Sequence, residues 1–260
     1  MKALKTYLKS RKKALLTLLK KPRKKYVPET FHQLRVEIKK LNALFDLLDF
    51  SSKKLGRKKM IKPFKVIFRQ AGKVRELQIE EATFKKYIQD DLLIEYRTKL
   101  IKRQAKEKKL FFALLNDKTK TELKKKYDKI IPFLSKIDQE KVEEYILMKE
   151  AEIKDFLAQP HLEIEQLHEL RKLLKIYYYN KTSLFVGNQT SSKKAALTEL
   201  LGEWNDGVVI IDHLYKIIKK AKINLEEITL LESLKTKIAA ENYVLLDQIK
   251  LAIPQSELYE

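Results

Sequence analysis

Along this chain apolar residues recur every three or four positions nearly everywhere, the spacing that gathers them on one side of an α-helix. Residues 2–20 set Leu4, Leu8, Leu15, Leu18 and Leu19 among lysines. A second helix, 29–50, carries Leu34, Ile38, Leu41, Phe45 and Leu48 as one core-facing stripe. Pro28 before its first turn and Glu29 within it suit a helix start. The 51–56 stretch breaks the pattern, and a third helix runs to about Gln70. The spacing predicts further helices at 74–89, 91–115, 120–130, 139–158, 162–180, 193–220 and 226–250. Asn116–Thr119 reads as a loop near the midpoint. Further breaks are placed near Pro132, Pro160, 187–192 and Asn224. No window alternates apolar and polar residues as a half-buried strand must, so the fold class is all-α.

Composition narrows this reading. The chain of 260 residues is long enough for a packed core, and 44% hydrophobic against 35% charged residues makes it globular. Only 5 Gly and 6 Pro interrupt it, as few, long elements require. The absence of cysteine excludes disulfides and thiolate metal sites. With no signal-like apolar run at the start and no stretch near ~18 uncharged apolar residues, a cytoplasmic protein with no membrane span is expected.

Charge changes the picture more. Lys and Arg number 56 against 35 Asp and Glu, a net +21 that speaks to partners rather than to fold. Residues 1–115 hold 33 basic and 11 acidic residues, net +22; residues 116–260 hold 23 and 24, net −1. A solvated surface with no partner would spread its charge evenly.

The chain also repeats itself. Phe31-His32-Gln33-Leu34-Arg35-Val36-Glu37-Ile38-Lys39 returns as Leu167-His168-Glu169-Leu170-Arg171-Lys172-Leu173-Leu174-Lys175. His, Arg and Lys match at i, i+3 and i+7. Ala71-Gly72-Lys73-Val74-Arg75-Glu76 is answered by Leu201-Gly202-Glu203-Trp204-Asn205-Asp206. Two anchors in one order imply two halves of similar topology, 1–115 and 116–260. At ~100° per residue, Arg35 and Lys39 lie about 60° and 20° from His32, beside the apolar stripe. A guanidinium fork, an ammonium and an imidazole form a donor set suited to phosphate oxygens. Lys58, Lys62, Lys65 and Arg69 add a second row at spacings of 4, 3 and 4. A lone His-x-x-Arg can be a surface ion pair; the repeated trio is the more specific signal. Tyr177, Tyr178 and Tyr179 could stack on bases, but at helical spacing they suit the edge of a core. His161 and His213 read as structural or solvated.

On these residues the chain resembles the CHAD family, named for conserved histidines in an α-helical domain, over nearly its whole length. The carrying features are His32-x-x-Arg35-x-x-x-Lys39, its echo at His168, Arg171 and Lys175, and the paired Gly72–Glu76 and Gly202–Asp206 segments. The resemblance implies a single domain over 1–260, built as two pseudo-symmetric helical bundles packed around a basic groove. It implies binding of inorganic polyphosphate and association with polyphosphate granules. The binding set carried over is His32, Arg35, Lys39, His168, Arg171 and Lys175, with Lys58, Lys62, Lys65, Arg69 and Arg75 as the neighbouring cations. The Arg-Asp usual in the second motif reads Arg75-Glu76 and Asn205-Asp206 here. The Glu-x-Glu-x-Lys signature of a fused triphosphate-tunnel domain is absent.

Two rival readings compete with this one. Glu29-x-x-His32 and Glu165-x-x-His168 make half of a di-iron site, but the first helix has no acidic residue to complete it. No metal or cofactor is therefore expected. A nucleic-acid binder is the stronger rival, since counterion release is blind to what joins the phosphates. No helix-turn-helix, zinc-finger or RNP motif supports it. Catalysis lacks a phosphate loop, a nucleophile elbow and a carboxylate cluster for Mg²⁺. The expectation is a non-catalytic polyphosphate binder, with non-specific nucleic-acid binding as the alternative.

Overall fold

The structure is a computed structural model that describes residues 2–52, 55–89, 92–134, 137–159, 162–184, 192–220 and 223–257. Among them are nine α-helices, a 3-10 turn at Arg23–Lys25, and no strand. The helices are α1 (Lys2–Leu19), α2 (Pro28–Ser51), α3 (Arg57–Tyr87), α4 (Ile94–Leu114), α5 (Asp117–Leu134), α6 (Gln139–Leu157), α7 (Ile164–Leu184), α8 (Ser192–Lys220) and α9 (Leu225–Glu257). The all-α expectation holds.

The helix ends follow local chemistry. Pro28 occupies the first turn of α2, where its missing N–H costs nothing. Asn116 caps α5, its Oδ1 accepting the Thr119 N–H at 2.9 Å. Asn224 does the same for Glu227 at the start of α9, at 2.8 Å. The loop expected at 116–119 therefore shrinks to a cap. Gly56, at φ +64°, takes a left-handed turn between α2 and α3 that a side chain would strain.

Two expected breaks are corrected. The helices predicted to 70 and from 74 are one, α3, which passes through Gly72 without interruption. α5 runs through Pro132 to Leu134. The last helix, expected over 226–250, is longer at its C-terminal end: α9 carries Pro254 inside it and ends at Glu257. Pro160 and residues 187–191 lie outside the described residues, as does His161.

Contacts divide the chain into two compact units that interleave in sequence. Unit 1 takes residues 1–78, 104–150 and 176–188; unit 2 takes 79–103, 151–175 and 189–260. They are not the sequential halves, yet the charge divides the same way. Unit 1 holds 37 basic and 14 acidic residues, net +23, and unit 2 holds 19 and 21, net −2.

Unit 1 buries Leu4, Leu8, Leu15, Leu18 and Leu19 of α1 together with Leu34, Ile38, Leu41, Phe45 and Leu48 of α2, the stripe read from the sequence. Tyr26, Phe31 and Phe111 pack with ring centroids 5.0–5.6 Å apart, and the Tyr26 hydroxyl donates to the Leu18 carbonyl at 2.8 Å. Burial pushes the Tyr26 hydroxyl up to about 12. Tyr7 is likewise raised to about 12, chiefly by burial, with the Arg11 charge opposing. Arg11 donates to the buried Glu37 at 2.8 Å, tying α1 to α2.

Unit 2 is built on α8 against α9. Leu197, Leu201, Trp204 and Leu214 are buried on one side, and Leu231, Leu234, Ile238 and Ile249 on the other. Glu227 accepts the N–H groups of Glu95 and Tyr96 at 2.8 and 2.9 Å, satisfying the start of α4. His213 finds a structural partner: its Nδ1 lies 3.6 Å from the buried Glu80 carboxylate, which also accepts the Tyr96 hydroxyl.

Candidate functional site

α3 places Lys58, Lys62, Lys65 and Arg69 on one exposed face, opposite the buried Met60, Ile61, Phe64, Ile67 and Ala71. The row spans about 16 Å at 1.5 Å per residue. Among the described residues none of the four cations makes an ion pair or a side-chain hydrogen bond. Arg57, one residue earlier, differs: it is paired with Asp46. The reason is local, because α3 contains no acid before Glu76. Lys58–Lys62, Lys59–Lys62, Lys62–Lys65, Lys65–Arg69 and Arg69–Lys73 are instead like-charge neighbours three or four apart. Each such pair costs a helix a few tenths of a kcal/mol at low salt. Elsewhere the exposed lysines often have acids at those spacings, as in Lys99–Glu95, Lys141–Glu144 and Lys216–Asp212.

The first trio stands on α2 beside this row. His32 is exposed; Arg35 and Lys39 are half-buried. The Arg35 side chain crosses onto α3, where its Nη1 donates to the Phe68 carbonyl at 3.0 Å. Its guanidinium carbon sits 4.1 Å from the centre of the Phe68 ring, a cation–π contact. One turn on, a methyl group at Gly72 would overlap Arg35 Nη1. By helical phase Phe68 and Gly72 border the row of Lys65 and Arg69. Arg35 thus joins the helix of the first trio to the helix of the α3 row within unit 1. Arg75 lies half-buried further along α3.

The second trio has different surroundings. His168, Arg171 and Lys175 are all half-buried on α7, in unit 2. The His168 ring lies 4.9 Å from that of Trp204, which is 2% exposed. Burial, and then the Arg171 charge, lower the Lys175 pKa, while Asp206 opposes them. Lys172 is neutralised by Glu169 at 2.6 Å. Gly202, the counterpart of Gly72, has open space where its Cβ would be. Glu29 and Glu165 both lie in first helical turns, the acid position that the helix dipole favours. Tyr177 is buried, and Tyr178 and Tyr179 are half-buried.

Sequence reasoning located the cations but missed Phe68, the carbonyl it carries, and the role of Trp204. The paired motif segments held the only available signal, since Gly72 and Trp204 both belong to them.

Fold and surface together define an all-helical protein that concentrates unneutralised cations on one compact unit. The chain belongs to the CHAD domain family, whose model matches residues 6–215. The crystal structure of the CHAD domain from the plant Ricinus communis is similar, with a TM-score of 0.77 at 18% identity, over 97% of this chain and 90% of that one. PptA from Streptomyces chartreusis gives a TM-score of 0.67 at 12% identity, over 99% of both chains. No curated protein matches the sequence.

Proposed function

We propose that this protein binds inorganic polyphosphate without catalysis, in the cytoplasm, on polyphosphate granules. The observation that carries the reading is the row Lys58, Lys62, Lys65 and Arg69, which is exposed and unneutralised and which Arg35 joins to α2, the helix that bears His32 and Lys39. A helix that keeps five repulsive pairs gains from an anion that bridges them, and a polymer of phosphates supplies a charge at every unit. His168, Arg171, Lys175 and Arg75 complete the proposed contact set, with the larger share of affinity coming from unit 1. Membership of the CHAD domain family supports the choice of polymer.

A nucleic acid would meet the same cations, and a single strand would add about 1–3 kcal/mol for each base stacked on an exposed aromatic. Phe68, the aromatic beside the row, is already covered by Arg35. Competition among polyphosphate, single-stranded RNA and duplex DNA at ~150 mM salt tests the reading. Polyphosphate is expected to displace both nucleic acids at matched phosphate concentration. Equal affinity for RNA would overturn the assignment in favour of a general backbone binder. No helix of the described residues is long and apolar enough to cross a membrane.

A further inference from the structure

We infer that Arg35 is a positioning residue rather than a phosphate contact, and that Gly72 is its seat, so that the two recurring motifs of the first half are parts of one device. The inference rests on the polyphosphate reading for its affinity arm and on packing alone for its stability arm.

Three observations converge. Arg35 Nη1 is spent on the Phe68 carbonyl at 3.0 Å, a group that already accepts in the α3 ladder and gains a charge-assisted second bond. The guanidinium plane is held against the Phe68 ring at 4.1 Å. The side chain lies where residue 72 would need a Cβ, so any residue but glycine displaces it. A glycine in a helix interior is unfavourable by about 1 kcal/mol relative to alanine. Gly72 sits in mid-helix, is buried, and has no turn to make. The close approach of Arg35 is the reason it is there.

The clamp fixes α2 on α3 and so sets the spacing between Lys39 and His32 on one helix and Lys65 and Arg69 on the other. A polyanion then meets cations already in place, and ordering them costs little at the moment of binding. The second motif copy lacks this device, since nothing approaches the Cβ position of Gly202. Equivalence of the two halves in sequence therefore does not extend to this contact.

The test uses the full chain and long-chain polyphosphate as probe, with affinity measured from low to high salt and thermal unfolding measured without ligand. Arg35→Lys keeps the charge but loses the fork and the stack; Gly72→Ala keeps every charge and blocks the seat. Both are expected to weaken binding by roughly 3–10-fold, the range expected of lost preorganisation, with the salt slope unchanged. Lys65→Ala, as a true contact, is expected to lower the slope by roughly 0.7–0.9 log units. A second arm needs no ligand: Gly72→Ala should raise Tm in an Arg35→Ala background and fail to raise it in wild type.

Arg35→Lys binding like wild type while Arg35→Ala loses a full contact of slope would make Arg35 a direct ligand and overturn the inference. Affinity unchanged in both variants, with only Tm reduced, would make the clamp purely structural and overturn it equally. If wild type shows no salt-dependent polyphosphate binding, the functional reading fails, and the Tm cycle alone still decides whether Gly72 is the seat.

Discussion

The two units carry the same His/Arg/Lys trio in different settings. In unit 1 the trio stands beside a row of exposed cations with no acid to answer them, and the surroundings sum to +23. In unit 2 the histidine lies against a buried tryptophan, the lysine is desolvated and faces Asp206, and the surroundings sum to −2. Identical side chains thus serve a charged surface in one place and lie close to the core in the other. A motif specifies donors; the neighbours decide what they can reach.

The largest expected effect probes the packed side of this contrast. Trp204→Ala removes the surface beneath His168 and should cost about 3–5 kcal/mol of unfolding free energy in denaturant titration. A loss under about 1 kcal/mol would mean that Trp204 is not an anchor of unit 2 and that the second trio is less embedded than its burial implies.

The next effect probes the charged side. Replacing Lys62, Lys65 and Arg69 together by alanine should weaken polyphosphate binding on the order of 100-fold at physiological salt, and should remove roughly two log units of salt slope, by counterion release. Arg171→Ala with Lys175→Ala should cost no more than about 10-fold. Comparable losses from the two sets would erase the distinction between the units. Circular dichroism must first show both variants folded, since these aliphatic stems also pack.

Alkaline pH tests unit 1 more gently. Tyr7 and Tyr26, with ordinary values of 10.0, titrate near 12 in the folded chain. The unfolded chain loses these protons first, so their stabilisation is present in full below pH 10 and is lost as the pH rises towards 12. Tyr7→Phe and Tyr26→Phe should flatten the fall in Tm across that window, and an unaltered fall would assign it to other groups.

The smallest effect has the opposite sign. Lys175 is held below its ordinary 10.5, first by burial. Below its folded pKa the folded state bears the full cost of that buried charge, and the cost is relieved as pH rises to 10.5. Lys175→Met should therefore raise Tm slightly at pH 7, and the gain should shrink near pH 10. A drop in Tm would show that attraction to the Asp206 charge outweighs burial.

The periodicity made most of the fold legible. The buried stripe of α2 and the leucines of α1 are those the spacing selects, because one residue type repeated at helical intervals leaves little freedom of face. The continuity of α3 was not legible. Gly72 reads locally as a break, and the side chain that accounts for it comes from a residue thirty-seven positions earlier. His213 is a similar case, since its partner Glu80 lies on another helix far away in sequence. The row on α3 could be read because it depends only on phase within one helix, whereas the seat of Arg35 depends on how two helices meet. The charge imbalance survived the change from sequential halves to interleaved units for a simple reason: residues 1–78, with 24 basic and 5 acidic, fall in unit 1 as one block.

The unanswered cations of α3 have a consequence for the fate of the protein itself. A helix under standing self-repulsion is least secure when counter-charge is scarce, and a polyphosphate bound as proposed would relieve it. Stability then rises with the logarithm of free ligand once that exceeds Kd. Since small changes in folding free energy move steady-state abundance several-fold, polyphosphate binding as proposed would make the amount of this protein a readout of polymer supply, with copies made in excess of the polymer being the first to be degraded.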